Sequence, residues 1–157
     1  MTTIVANLEC MAADQRCTSG GPICHTQKLH RIGDSVFGFA GDAMLALILV
    51  KWLGTKRDPL QLYKLIPEAH RDSVDALELS PKGLAFWNGW GVPMPLLDQA
   101  YAIGSGAMSA LQAVRLGKSP EEAIHLAPPL DECSGVLTAP VVEYLLPKEL
   151  KPRRKRG

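Results

Sequence analysis

The order in which strand-like and helix-like segments follow one another limits this chain more than any other feature of it. Short alternating or β-branched runs come in blocks, separated by blocks of helical periodicity, with no regular strand–helix–strand repeat along the 157 residues. A parallel, doubly wound sheet requires that repeat, because each parallel connection takes a crossover. The pattern points instead to an α+β chain, with two antiparallel sheets packed face to face and helices outside them.

The segments read as follows. Thr2 to Leu8 and Cys10 to Arg16 are two strands joined by a tight turn near Glu9, and Cys17 to Pro22 is turn and loop chemistry. Lys28 to Ile32 and Ser35 to Ala40 form another pair around Gly33-Asp34. Asp42 stands where an N-cap acid helps a helix that runs to about Leu53, apolar nearly all round and so suited to burial between layers or at a subunit contact. Pro59 to Arg71 is a weaker helix interrupted by Pro67, and Val74 to Leu79 with Gly83 to Trp87 is a hairpin. A loop, Gly89 to Pro95, precedes the strand Tyr101 to Ile103. Two helices follow, Gly106 to Leu116 and Pro120 to Leu126, the second with Ser119 as N-cap and Glu122 as capping-box acid. A last strand pair is expected within Gly135 to Leu146.

A chain 46% hydrophobic and 21% charged has the balance of one soluble globular domain. That domain is expected to occupy residues 1–147, with 148–157 as a basic, solvated tail. The net charge of +1 gives no global reason to expect nucleic acid, an anionic membrane or an acidic substrate. The start Met1-Thr2-Thr3 has no basic and apolar leader pattern, and the apolar run Ala43 to Leu53 is shorter than the ~20 residues that span a bilayer, so a cytoplasmic location is expected. Cys10, Cys17, Cys24 and Cys133 lack CxxC spacing and read as buried or half-buried free thiols. His25, His30, His70 and His125 are scattered without ligand spacing; no metal and no cofactor is expected. Trp52, Trp87 and Trp90 read as core or interface aromatics.

Chemistry enters at Thr2. Removal of Met1 would leave one residue with a hydroxyl and a free α-amine, whose ordinary pKa of about 7.7 to 8.0 lets it act as a base toward that hydroxyl near neutral pH. Nucleophile and base would then share a residue. Many chains begin Met-Thr, so this start means little alone.

Further segments carry more weight. Thr2-Thr3-Ile4-Val5-Ala6, Ala13-Asp14, Thr18, Lys28, Gly38-Phe39-Ala40-Gly41, Ile103-Gly104-Ser105-Gly106 and Asp131-Glu132-Cys133-Ser134-Gly135 stand in the order and approximate spacing of proteasome β subunits and the bacterial protease HslV. The chain resembles that family of N-terminal-threonine peptidases from residue 2 to about residue 145, and is most like the betaproteobacterial proteasome homologue.

The resemblance implies a four-layer αββα sandwich of the N-terminal nucleophile hydrolase type. It implies Thr2 as nucleophile beside a Lys28–Asp14 ion pair, in which the ammonium favours the alkoxide-like form of the hydroxyl and the carboxylate offsets its burial. Read by residue type alone, Lys28 would be an exposed strand lysine. Gly41 corresponds to the glycine whose N–H faces the developing oxyanion. Ser105 matches a serine that helps relay the amine proton, and Asp131 and Ser134 match a D-x-x-S-G element that orients the nucleophile. Thr18 corresponds to a threonine whose backbone pairs with substrate, and Phe39 to the floor of the pocket for the residue preceding the scissile bond.

Polypeptide substrates, a homo-oligomeric double ring and a separate ATPase unfoldase are the implied partners. The stretch from Leu60 to Val74 is shorter than in such proteins and is broken by Pro67, which leaves ring symmetry and the ATPase docking surface open. Two other readings share the same fold: a catalytically silent assembly subunit, and a small-molecule amidase.

Overall fold

The computed structural model describes residues 2–17, 24–126 and 141–145. Strands β1 (Thr3–Asn7) and β2 (Cys10–Ala13) are followed by the two-residue strands β3 (Arg16–Cys17) and β4 (Cys24–His25), then by β5 (Leu29–Ile32) and β6 (Ser35–Gly41). Helices α1 (Ala43–Leu53) and α2 (Pro59–Leu65) and a 3₁₀ turn (Glu68–Ser73) lead to β7 (Val74–Ser80), β8 (Gly83–Asn88), β9 (Met94–Leu96) and β10 (Ala100–Gly104). The described residues finish with α3 (Ala107–Arg115), α4 (Pro120–Leu126) and β11 (Val141–Tyr144).

The pairings are antiparallel throughout. One sheet has the order β10-β1-β2-β11, a second β5-β6-β7-β8-β9, and β3 and β4 form a separate ribbon. The two-residue period of a strand sends alternate side chains to opposite faces. In β1, Ile4 and Ala6 face the second sheet, whereas Val5 faces the helices; in β2, Met11 and Ala13 face the sheet and Ala12 the helices. In β6, Val36 and Ala40 join the cluster between the sheets, while Phe37 and Phe39 join one with Leu49, Trp52, Leu53 and Leu62 from α1 and α2. Ala110, Ala123 and Ile124 of α3 and α4 close the opposite side. Both faces of the central strands are buried, which is why β1, β2 and β6 read as nearly continuous apolar runs.

Some boundaries differ from the sequence reading, each for a local reason. The strand expected to run to Arg16 stops at Ala13, because the Asp14 side chain turns back to accept from the backbone N–H groups of Thr3 and Arg16. Cys17 pairs with Cys24 where only loop was expected. The Pro59 to Arg71 helix divides at Ile66 and Pro67 into α2 and the 3₁₀ turn. Met94–Leu96, partly assigned to a loop, is an edge strand, a place that tolerates the missing N–H of Pro95. Of the expected final pair only β11 falls among the described residues.

Capping follows expectation. The Asp42 carboxylate accepts from Met44 N and Leu45 N at 2.8 and 3.0 Å, and Ser119 and Glu122 exchange hydrogen bonds at the start of α4. Helix α1 turns Leu49, Trp52 and Leu53 inward but leaves Met44 and Leu47 exposed, so its all-round apolar character is only half used within the chain.

At Gly38 the two sheets come close together. A Cβ there would lie 2.6 Å from Ile4 Cγ2 and 2.9 Å from Met11 Sδ, inside contact distance. Gly38→Ala is expected to destabilise the fold by about 2 kcal/mol, read as a lower urea midpoint at unchanged m-value.

Candidate active site

Thr2 immediately precedes β1 and is 8% exposed. Its carbonyl accepts a hydrogen bond from Ser105 Oγ at 3.3 Å. Opposite it, Gly104 closes β10 at φ +92°, where a Cβ would stand 2.0 Å from Thr2 O. A glycine is therefore required for β10 to pass Thr2.

Asp14, buried at the end of β2, is the hub of the site. Its Oδ1 accepts from Thr3 N at 2.8 Å and from Lys28 Nζ at 2.9 Å, and its Oδ2 accepts from Arg16 N at 3.2 Å. Lys28 precedes β5, is 6% exposed, and donates also to the Arg16 carbonyl. Its own carbonyl accepts from Phe39 N of β6 at 3.1 Å. The ammonium is thus buried with a carboxylate and a carbonyl, which makes burial of both charges tolerable.

At the end of β6 the chain turns sharply through Gly41, φ +97°, where a Cβ would sit 2.3 Å from Ser73 O. The next residue, Asp42, donates its N–H to that same carbonyl at 2.8 Å and caps α1 with its side chain. Gly41 is held at the base of α1 by backbone geometry alone.

These elements border a cleft of about 310 Å³. Thr2, Lys28, Phe39 and Gly41 line it together, with Cys17 at one side and Ala46 and Val50 of α1 at another. Asp14 and Ser105 stand behind the lining, reaching it through Lys28, Thr3 N and Thr2 O. Asp131, Ser134 and Thr18, which the sequence also nominated, lie outside the described residues. Among the described residues there is no group of three or more His, Cys, Asp or Glu side chains able to hold a metal ion. No helix among them is long and apolar enough to cross a membrane.

His30 was not singled out by sequence, yet it lines the cleft and meets the Phe39 ring edge-on at 5.7 Å between centroids. Strand period was the signal available: two residues after Lys28, it shares that residue's face of the strand. Burial lowers its pKa below the ordinary histidine range, and a backbone hydrogen bond at Gln27 partly opposes the shift.

Three outcomes are expected. Gly104→Ala should displace Thr2 and cost at least about tenfold in any Thr2-dependent reaction while strand content by circular dichroism is kept. Lys28→Ala strands a buried carboxylate and should destabilise by about 3 kcal/mol in denaturant titration. For His30, the unfolded chain binds a proton more readily than the folded one, so the stability given by the neutral ring is complete above the ordinary histidine pKa and is lost as pH falls through the folded value. The thermal midpoint of wild type should accordingly decline relative to that of His30→Gln between about pH 8 and pH 5.

No family profile and no curated protein sequence matches the chain. Solved structures do. Thiobacillus denitrificans BPH aligns at 21% identity and a TM-score of 0.66, covering 93% of this chain and 98% of that one. The same protein in complex with epoxomicin aligns at 20% identity and a TM-score of 0.63, with 93% and 99% covered. The crystal structure of eukaryotic HslV from Trypanosoma brucei aligns at 25% identity and a TM-score of 0.67, with 90% and 98% covered. Over nearly its whole length this chain therefore has the fold of HslV and of BPH, the structural group that its spaced motifs resemble.

Proposed function

We propose that the chain is a threonine peptidase of the proteasome type, with Thr2 as nucleophile once Met1 is removed. The observation that carries this reading is the convergence at one cleft of Thr2, Lys28 with its buried partner Asp14 behind it, and the Gly41 turn. The likeness to BPH, one of whose structures holds epoxomicin, supports it.

The proposed reaction follows from that placement. The Thr2 amine takes the hydroxyl proton, and the Lys28 ammonium stabilises the oxygen as it attacks a peptide carbonyl. The developing oxyanion is met by the Gly41 N–H, a contribution of several kcal/mol in acyl transfer. Collapse returns the proton to the leaving amine and leaves an acyl-threonine, which water hydrolyses. In this reading Ser105 holds the Thr2 carbonyl and passes the amine proton, Asp131 and Ser134 orient the amine, Thr18 pairs with the peptide backbone, and Phe39 restricts the pocket to small or medium apolar side chains. No cofactor is required.

The same reading takes the two sheets and two helix pairs as the four-layer αββα sandwich of N-terminal nucleophile hydrolases, formed by residues 1–147. It places the chain in a cytoplasmic double ring that encloses polypeptide substrates and works with a separate ATPase.

The test is the intact mass of the purified protein with and without epoxomicin, for wild type and Thr2→Ala. Loss of Met1 and a single adduct on wild type alone is the expected result, with Lys28→Ala labelled about a hundredfold more slowly. A retained Met1, or no Thr2-dependent adduct on the processed chain, would assign the protein as a silent assembly subunit. Turnover of non-peptide amides but not of short peptides would move it to the amidases.

A further inference from the structure

The sequence reading took the cysteines for buried or half-buried free thiols. Cys10 fits that description, lying 6% exposed in β2. Cys17, half-buried, fits it as well; Cys24, exposed, does not. These two stand directly opposite one another in the β3–β4 ribbon, and both are free. The Cys24 thiol donates to the Cys17 carbonyl at 3.6 Å. Directly paired residues of antiparallel strands have Cα atoms about 4.5 to 5.5 Å apart, within the range of about 4.4 to 6.8 Å that a disulfide spans. Among the described residues the ribbon is two residues long on each side, with Arg16 opposite His25 and a further hydrogen bond from Thr26 N to Gln15 O at 2.9 Å. A covalent link there would add to the hydrogen bonds of this short ladder. Cys17 also lines the cleft that Thr2 lines.

We propose that Cys17 and Cys24 form a reversible disulfide, by exchange with a low-molecular-weight disulfide of the glutathione type, that fixes the ribbon whose Cys17 lines the cleft with Thr2. The exposed Cys24 thiolate attacks one sulfur of the external disulfide and expels a thiolate, giving a mixed disulfide. The Cys17 thiolate then attacks the Cys24 sulfur, closing the cross-strand bond and expelling the second small thiolate. The two protons lost from the cysteines end on the two released thiols, and the two electrons reduce the external disulfide. The neighbouring Cys17 thiol, through its hydrogen bond, holds the Cys24 pKa above the usual thiol range, so the first step accelerates as pH rises. Closure draws Cys17 Sγ toward Cys24 and stiffens the cleft wall that it forms, which slows access of a peptide to Thr2. This effect on access rests on the peptidase reading; the bond itself does not.

The experiment equilibrates the full chain in a series of reduced-to-oxidised glutathione ratios, traps free thiols by alkylation, maps linked peptides by mass spectrometry, and measures the rate of epoxomicin labelling on the same samples. Expected are a Cys17–Cys24 linked peptide, its loss with dithiothreitol, its presence in Thr2→Ala, and a Cys17→Ser protein that stops at a mixed disulfide on Cys24. Labelling of the oxidised wild type should be slowed about tenfold and restored by dithiothreitol. Full alkylation of both cysteines at every ratio, or bonds formed instead to Cys10, to Cys133 or between chains, would overturn the proposal. A Cys17–Cys24 bond with an unchanged labelling rate would overturn its effect on the cleft. If the reduced protein is not labelled at all, the failure belongs to the peptidase reading, and the linked peptide alone decides this one.

Discussion

The ion pair between Lys28 and Asp14 joins parts of the molecule that sequence keeps apart. Asp14 follows β2 in one sheet and Lys28 precedes β5 in the other, so the contact bridges the sheets at the end where the cleft opens. Through Asp14 the pair also holds the Thr3 N–H, and through the Lys28 carbonyl it holds β6 at Phe39. Neither charge would be tolerated there alone, since burial of an unpaired ion costs several kcal/mol. The backbone of three strands is therefore positioned around one compensated charge.

The remaining geometry depends on the absence of side chains. Gly38 lets Ile4 and Met11 of the first sheet press against the second, Gly104 lets β10 pass Thr2, and Gly41 lets β6 turn beneath Ser73. Each lies within contact distance of a different neighbour, and two of them require positive φ. Close approach of layers and sharp turns at strand ends have the same chemical origin here.

Much of this was legible in advance. The block order of strands and helices carried the antiparallel class, the apolar runs of β1, β2, β6 and β7 marked the buried strands, and the caps at Asp42 and Ser119 were plain from residue type. The positions of Thr2, Asp14, Lys28 and Gly41 were named from spaced motifs, and the fold brings them to one place. What escaped was set by tertiary contact. Nothing local announces that Cys17 will face Cys24, since that register depends on the ribbon as a whole. His30 looked like one more scattered histidine, because its meaning comes from Phe39 on the adjacent strand. The end of β2 was misjudged because a carboxylate competing for backbone N–H groups stops a strand without changing its apolar pattern.

Helix α1 belongs to two surfaces at once. Ala46 and Val50 look into the cleft, Met44 is open to the outside, and Leu47 does both, lining the cleft while half its side chain remains exposed. Both surfaces are carried by one helix of eleven residues. Were a contact on the outer face to favour one position of this helix over another, occupancy of the cleft would register it, and by reciprocity each would alter the affinity for the other by the same factor.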